Sequence, residues 1–322
     1  MEDRTSTPPR IGISSCLLGL KVRFDGGHKR DRFLTDSFGV FVEWVPVCPE
    51  LEVGMGIPRP SVRLVGLPDA PRMIQDKSGR DFTAAMRAYS QKRARELALL
   101  DLSGYILKKD SPSCGMERVR VYPEPTGKAP SREGRGLFAS VLMSSFPLLP
   151  VEEEGRLCDL RIRENFIERV FAYRRWQDLV GSRKSIGLLV AFHARHKFVL
   201  MAHSETHMRR LGRLVAAAKG RPIAGVYAEY GQVFMEALTQ HATVKKNVNV
   251  LQHVAGFFSE RLAPGEREEL VDIIRDYHRR LVPLIVPITL IRHYVRRFDV
   301  EYVRDQVYLE PHPKELMLRN HV

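Results

Sequence analysis

Arg10-Ile-Gly-Ile-Ser-Ser-Cys-Leu-Leu-Gly19 is the stretch that decides the fold class. Ile11 and Ile13 make a short apolar run that breaks into small residues at Ser14, Ser15 and Gly19, as a buried strand does when it enters a turn. The same pattern recurs twice. Phe41 to Val47 alternates and β-branches, then ends at Cys48-Pro-Glu50; Leu102 to Leu107 is a third apolar strand, followed directly by Lys108-Lys-Asp-Ser-Pro-Ser-Cys-Gly115. Between the second and third runs, Phe82, Met86, Tyr89, Ala94 and Leu97 recur near the helical period, so Asp81 to Leu100 reads as a helix that Asp81 or Thr83 can cap. Leu137 to Met143 reads as another helix, and Gly127 to Gly136 as a loop. Strands separated by helical stretches predict an α/β domain with a mostly parallel, helix-covered sheet, a Rossmann-like three-layer α/β/α arrangement.

The pattern changes after Pro150. Helical periodicity runs through Leu160 to Gln177, Lys184 to Ser204, His207 to Ala218, Gly225 to Ala242, Lys246 to Arg261, Pro264 to Leu281 and Leu284 to Arg297. The expected organisation is an α/β domain over residues 1–150 and an all-α domain over residues 151–322. Hydrophobic residues make up 44% of the chain and charged ones 28%, which supports a sizeable core and excludes global disorder. The longest apolar run, Leu281 to Ile291, carries Pro283 and Pro287 and falls short of the ~20 residues a membrane helix needs. The polar opening, Met1 to Arg10, has no apolar stretch of a signal peptide, so the expected location is the cytoplasm. Net charge is +13 over 322 residues, and both halves are basic, a balance that favours polyanionic partners.

Four cysteines in a long chain of this kind do not make a disulfide framework. Cys16, Cys48 and Cys114 each follow a strand-like run. In an open α/β sheet the carboxyl ends of parallel strands line one crevice, so the three thiols converge if the strands are parallel. Ser14-Ser15, Pro49, Ser113 and Gly115 flank them with turns suited to exposing backbone N–H groups toward sulfur. Three thiolates are one short of a closed structural zinc site or an electron-transfer cluster, and leave a metal position open. Packing cysteines and a lone reactive thiol are the alternatives. Cys158, in Gly155-Arg-Leu-Cys-Asp159, reads as a packing cysteine at the start of the helical domain. His193 with His196, and His203 with His207, lack the acidic or cysteine partners that would complete a metal site.

Three motifs, in order, resemble the thiouracil desulfurase family. They are Ile13-Ser-Ser-Cys-Leu-Leu-Gly19 with Val22-Arg-Phe-Asp-Gly-Gly-His-Lys29, then Cys48-Pro-Glu50 with Gly54-Met-Gly-Ile-Pro-Arg-Pro60, then Ser111-Pro-Ser-Cys-Gly115. The likeness spans most of residues 10–145. Arg163-Glu-Asn-Phe-Ile-Glu-Arg169, His193-Ala-Arg-His-Lys197 and Tyr230-Gly-Gln-Val-Phe234 resemble the helical domain fused to the family's long forms, which are similar to bacterial desulfidases acting on 4-thiouridine in tRNA. The sequence departs from the family pattern at Ser61, where a second proline is common, and at Lys109-Asp110. Neither is a ligand position, so both bear on substrate contacts only.

The resemblance implies a [4Fe–4S] cluster held by Cys16, Cys48 and Cys114 with one iron open, a catalytic carboxylate at Glu50 and a catalytic serine at Ser113. The implied reaction exchanges C=S for C=O with release of hydrogen sulfide. Asp25, His28, Lys29, Arg59, Lys108 and Ser111 are candidates for positioning the thiolated nucleobase or its phosphate. The cation pairs Arg174-Arg175, Arg183-Lys184, Arg209-Arg210, Lys245-Lys246, Arg279-Arg280 and Arg296-Arg297, with Tyr173, Trp176 and Tyr294 nearby, make tRNA the expected partner of the helical domain. Free thiouracil or a thiouridine nucleotide as substrate, and a zinc-stabilised RNA-binding protein without catalysis, are the competing readings.

Overall fold

The computed structural model describes residues 7–124 and 129–321. The chain divides into two compact units, Met1–Asp159 and Leu160–Val322. In the first, the strands are β1 (Arg10–Ser14), β2 (Glu43–Val47), β3 (Val62–Val65), β4 (Arg72–Gln75), β5 (Leu102–Leu107), β6 (Val119–Tyr122), β7 (Ser131–Gly134) and β8 (Val151–Glu153); the helices are α1 (Pro49–Glu52), α2 (Thr83–Ala98) and α3 (Leu137–Ser145).

The central sheet has the order β2-β1-β5-β8 and every pairing in it is parallel. β5 is buried at each residue and β1 at all but Arg10, which is why both read as apolar runs. Gly12 stands opposite Tyr105, and a Cβ there would lie 2.2 Å from the tyrosine ring, so only glycine lets these two strands pair with that ring between them. β2 is an edge strand, which is where a proline such as Pro46 costs no ladder hydrogen bond. β2 and β5 lie on opposite sides of β1. Right-handed crossovers then put the turns Phe33–Ser37 and Phe38–Phe41 on one face and α2 and α3, which pack together, on the other. These are the three layers.

A second sheet was not legible in the sequence. It has the order β4-β3-β6-β7, with β3 and β6 parallel and both outer pairings antiparallel. The reading of Gly127 to Gly136 as a loop is corrected: Ser131–Gly134 is β7, while residues 127 and 128 lie outside the described residues. Most of the polar opening, residues 1–6, also lies outside them. β8 pairs with β5, so the stretch beyond residue 150 that was assigned to the helical half belongs to the sheet, and the units divide after Asp159. Cys158 is corrected likewise: it is exposed on the turn Arg156–Cys158 of the first unit and packs no core.

The second unit is helical: α4 (Leu160–Gly181), α5 (Ile186–His203), α6 (Glu205–Ala216), α7 (Ile223–Thr239), α8 (Val244–Ala255), α9 (Pro264–His278), α10 (Ile285–Phe298) and α11 (Glu301–Arg304). Ser185, Ser204 and Thr243 cap α5, α6 and α8 by accepting N–H bonds from Leu188, His207 and Lys246. Trp176 meets Phe192, Tyr227, Tyr230 and Phe234 with ring centroids 5.4–6.3 Å apart. A Cβ on Gly231 would lie 2.7 Å from the indole, so α7 approaches α4 closely only through that glycine. Trp176 and Tyr294 are core residues, not aromatic partners for nucleic acid. Among the described residues, no helix is long and apolar enough to cross a membrane.

This core buries polar groups. Burial lowers the pKa of His196 to about 3 and of His312 to about 4, and raises that of Glu164 to about 7. Below its ordinary value near 6.5, each unfolded imidazole binds a proton that its folded counterpart refuses, so stability falls as pH drops from there through about 4 and 3. Glu164 works in the opposite sense: its contribution is present below its ordinary 4.5 and is lost as pH rises through about 7. Two groups outweigh one. The melting temperature of the full chain is expected to fall on going from about pH 7 to about pH 4. A flat profile over that range contradicts the burial of the two imidazoles.

Candidate active site

β1, β2 and β5 are adjacent and parallel, so their carboxyl ends open on one edge of the sheet. Cys16 lies in the turn Ser15–Leu18 after β1, Cys48 directly follows β2 and precedes α1, and Cys114 follows β5. Four hydrogen bonds donated by backbone N–H groups hold the turns of Cys16 and Cys114. Lys29 donates to the Cys16 carbonyl at 2.9 Å, Lys108 N–H donates to Ser14 Oγ at 3.0 Å, and Ser111 Oγ accepts the N–H groups of Ser113 and Cys114 at 3.2 and 3.1 Å. All three cysteines line one cavity of about 750 Å³.

Burial pushes each thiol up: Cys16 to about 11, Cys48 above its ordinary value, and Cys114 well above it. Lys108 opposes the rise at Cys16, the Leu51 N–H opposes it at Cys48, and Ser14 opposes it at Cys114. Cys48 raises Cys16, and both raise Cys114, so the three sulfurs sit within electrostatic reach of one another. Yet among the described residues no three His, Cys, Asp or Glu side chains are gathered tightly enough to clasp one metal ion. Three thiols around a shared cavity are a soft donor set, which fits an iron–sulfur group.

Glu50 enters the same cavity from the first turn of α1. Its Oε1 accepts the Ser113 hydroxyl at 2.8 Å, and its Oε2 stands 2.6 Å from Arg59 Nη2. The Arg59 side chain is 3% exposed and that of Glu50 16%, so this charge-assisted contact is shielded from bulk water. Arg59 is fixed in turn by the carbonyls of Val22 and Gly56, at 3.2 and 2.9 Å. The carboxylate is thereby held in one orientation at the cavity wall. Ser113 is fully buried, and its hydroxyl is spent on Glu50. It orients the carboxylate from behind the cavity wall.

The other expected contact residues divide. Lys29, Arg59, Lys108 and Ser111 line the cavity. Lys108 Nζ pairs with Glu154 at 2.5 Å, and Glu154 also takes the Lys109 N–H at 2.8 Å. Asp25 does not line it; its exposed carboxylate accepts the Gly27 N–H at 2.9 Å and closes a turn. His28 is exposed and likewise outside the wall, with Nδ1 on the Arg30 N–H. Sequence reasoning missed Glu153 and Glu154, which pin the loop carrying Cys114; Glu153 accepts the Met116 N–H at 2.6 Å. The run Glu152-Glu-Glu154 at the end of β8 was the available signal. Also missed were Arg23 and Phe24 at the cavity wall, and the second-sheet residues Ser61, Arg63, Asp76, Arg120 and Tyr122.

With this geometry in view, comparisons with known proteins are specific. Residues 197–313 match a family described as a protein of unknown function, DUF1722. The uncharacterized protein YbgA of Escherichia coli (strain K12) is 30% identical over 161 residues, covering 50% of this chain and 95% of that protein. The uncharacterized protein YbbK of Bacillus subtilis (strain 168) is 34% identical over 116 residues, covering 33% of this chain and 72% of that protein. A solved [4Fe-4S]-dependent thiouracil desulfidase, TudS, is 28% identical and aligns with 49% of this chain and 99% of its own, with a TM-score of 0.38. Residues 11–154, from β1 to the end of the acidic run after β8, match the model of 2-thiouracil desulfurase, and the chain belongs to that family.

Proposed function

We propose that this protein is a desulfidase that converts 4-thiouridine in tRNA to uridine and releases hydrogen sulfide, with a [4Fe–4S] cluster held by Cys16, Cys48 and Cys114 and one iron left open. The observation that carries the reading is the convergence of those thiols with Glu50 on one cavity at the carboxyl edge of the sheet. When bound, the cluster supplies a soft Lewis acid for the thiocarbonyl sulfur. The rest falls to the chain. Glu50, aimed by Arg59 and Ser113, takes a proton from the water that attacks the thiocarbonyl carbon. Water supplies the oxygen and both hydrogens of the departing sulfide, so the exchange is redox-neutral and needs no electron donor. The buried Glu50–Arg59 contact keeps the base fixed before the substrate arrives, so little reorganisation is needed at the reaction step.

The tRNA half of the reading rests on charge. The net +13 is spread over both units, and Arg183, Lys184, Arg210, Lys245 and Arg279 are exposed on the helical one. Other expected cations are engaged within the protein. Arg174 pairs with Asp178 and Arg209 with Glu205, Arg297 contacts Glu266, and Lys246 donates to the His203 carbonyl. The direct test is anaerobic purification, assay of iron and sulfide, then incubation with thiolated tRNA and nucleoside analysis. The expected result is a brown protein that removes 4-thiouridine and leaves uridine. Turnover of free thiouracil with untouched tRNA would remove the tRNA assignment, and a colourless zinc protein would remove the reaction.

A further inference from the structure

Glu50 has a counterpart two residues on. Two positions along a helical turn are about 200° apart, so Glu52 leaves α1 on the side away from Glu50. Glu52 does not line the cavity, and neither do Tyr89 and Arg93 of α2. Its Oε1 accepts the Cys48 N–H at 2.9 Å, and its Oε2 accepts the Tyr89 hydroxyl at 2.7 Å. Arg93 Nε stands 3.5 Å from that same Oε2. The turn that carries Cys48 therefore lies between two carboxylates, each flanked by one hydroxyl and one arginine. They differ in how far the arginine neutralises them. Arg59 comes within 2.6 Å of Glu50, whereas Arg93 spends its terminal nitrogen on Glu96 at 2.8 Å and leaves Glu52 the longer contact.

Capping of α1 is too small a purpose for this arrangement. The helix is four residues long, and the groups that hold Glu52 come from α2, 37 residues away at Tyr89. The pairing of β1 with β2 ends at Val47, so the Cys48 N–H lies past the ladder and Glu52 takes it. The Cys114 N–H, by contrast, goes to the neutral Ser111 hydroxyl at 3.1 Å. We propose that Glu52 is a positioning residue for the iron–sulfur group: it fixes the Cys48 turn through the main chain, and its charge keeps the group in the oxidised form. The inference rests on the proposed cluster. A negative charge beside a ligand, and an N–H drawn away from sulfur, both disfavour an added electron. The proposed exchange of C=S for C=O moves no electron, and irons are stronger Lewis acids before reduction than after it.

The test uses the full chain loaded with iron and sulfide without oxygen, and reads two quantities apart from turnover. One is the potential at which dithionite adds one electron to the cluster, followed by the spin signal of the reduced form. The other is the rate at which a ferrous chelator strips iron. Glu52→Gln keeps an oxygen for the Cys48 N–H and loses the charge, so it should hold iron like the parent while its potential shifts upward. Glu52→Ala loses both, and should give up iron roughly tenfold faster as well. Glu43→Gln, at the start of β2, removes a charge far from the ligand turn and should shift nothing. A Glu52→Gln potential equal to that of the parent, an equal shift in Glu43→Gln, or unchanged iron release from Glu52→Ala overturns the role of Glu52. If Glu52→Ala does not fold, the potential of Glu52→Gln decides alone. A parent chain that takes up no iron and sulfide refutes the cluster, and the inference with it; a loaded parent with an insensitive Glu52→Gln refutes the inference and leaves the cluster standing.

Discussion

Replacing Glu50 by glutamine is expected to lower desulfuration roughly 10²–10⁴-fold while iron and sulfide content stay at the level of the unaltered protein. Glutamine keeps the shape and a carbonyl oxygen that can accept from Ser113 or Arg59, but it takes no proton. In the proposed reaction this carboxylate is the base, and both of its oxygens are held, one by the Ser113 hydroxyl and one by the buried Arg59. Ser113→Ala should have a smaller effect than Glu50→Gln, since the serine acts through the carboxylate. Single-turnover rates with matched cluster content check both. Glu50→Gln turning over within about tenfold of the parent would show that another group moves the proton.

The second large effect lies in the helical unit. Arg319, near the end of the chain, is 6% exposed; it stands 3.3 Å from Glu164 and 3.9 Å from Glu168, and donates to the Tyr308 carbonyl at 2.6 Å. Burial alone would push the Glu168 carboxyl up, but His203, 3.4 Å away, and Arg319 outweigh burial and hold it well below its ordinary range. Arg319→Met leaves the buried Glu168 and the half-buried Glu164 without their shared cation. Breaking a buried pair from one side costs about 3–5 kcal/mol, and in a chain of this size that lowers the melting temperature by on the order of 10 °C. Adding Glu164→Gln and Glu168→Gln to Arg319→Met should recover part of the loss, because the uncompensated charge is then gone. A melting temperature unmoved by Arg319→Met would refute the network.

What could be read from the sequence follows from how strongly each element is patterned. β1 and β5 are buried on both faces and announce themselves as apolar runs. The long helices of the second unit show regular apolar spacing, and their bounds fall within a few residues of the expected ones. β3, β4, β6 and β7 are four residues each and lie among prolines and glycines, so even the alternation of Val119 and Val121 in β6 is too short to stand out as a strand. β8 reads Val-Glu-Glu and looks like a solvated stretch, although Glu152 and Glu153 are buried. The convergence of Cys16, Cys48 and Cys114 was legible because strand ends and parallel topology suffice to place them. The role of Arg59 was not. Its value lies in a contact with Glu50 across a turn, and no local pattern distinguishes an arginine that reaches inward from one that reaches toward a ligand.

The three thiols come from β1, β2 and β5, strands that are remote in sequence and meet only when the sheet closes. Peptides with closely spaced cysteines can capture metal while still unfolded, and folding then follows loading. Here the order is reversed. A nascent chain that has not yet delivered β5 presents two of the donors at most, so anything the three thiols hold has to be delivered to a finished sheet, through the mouth of the cavity, by a donor small or pliable enough to reach its floor.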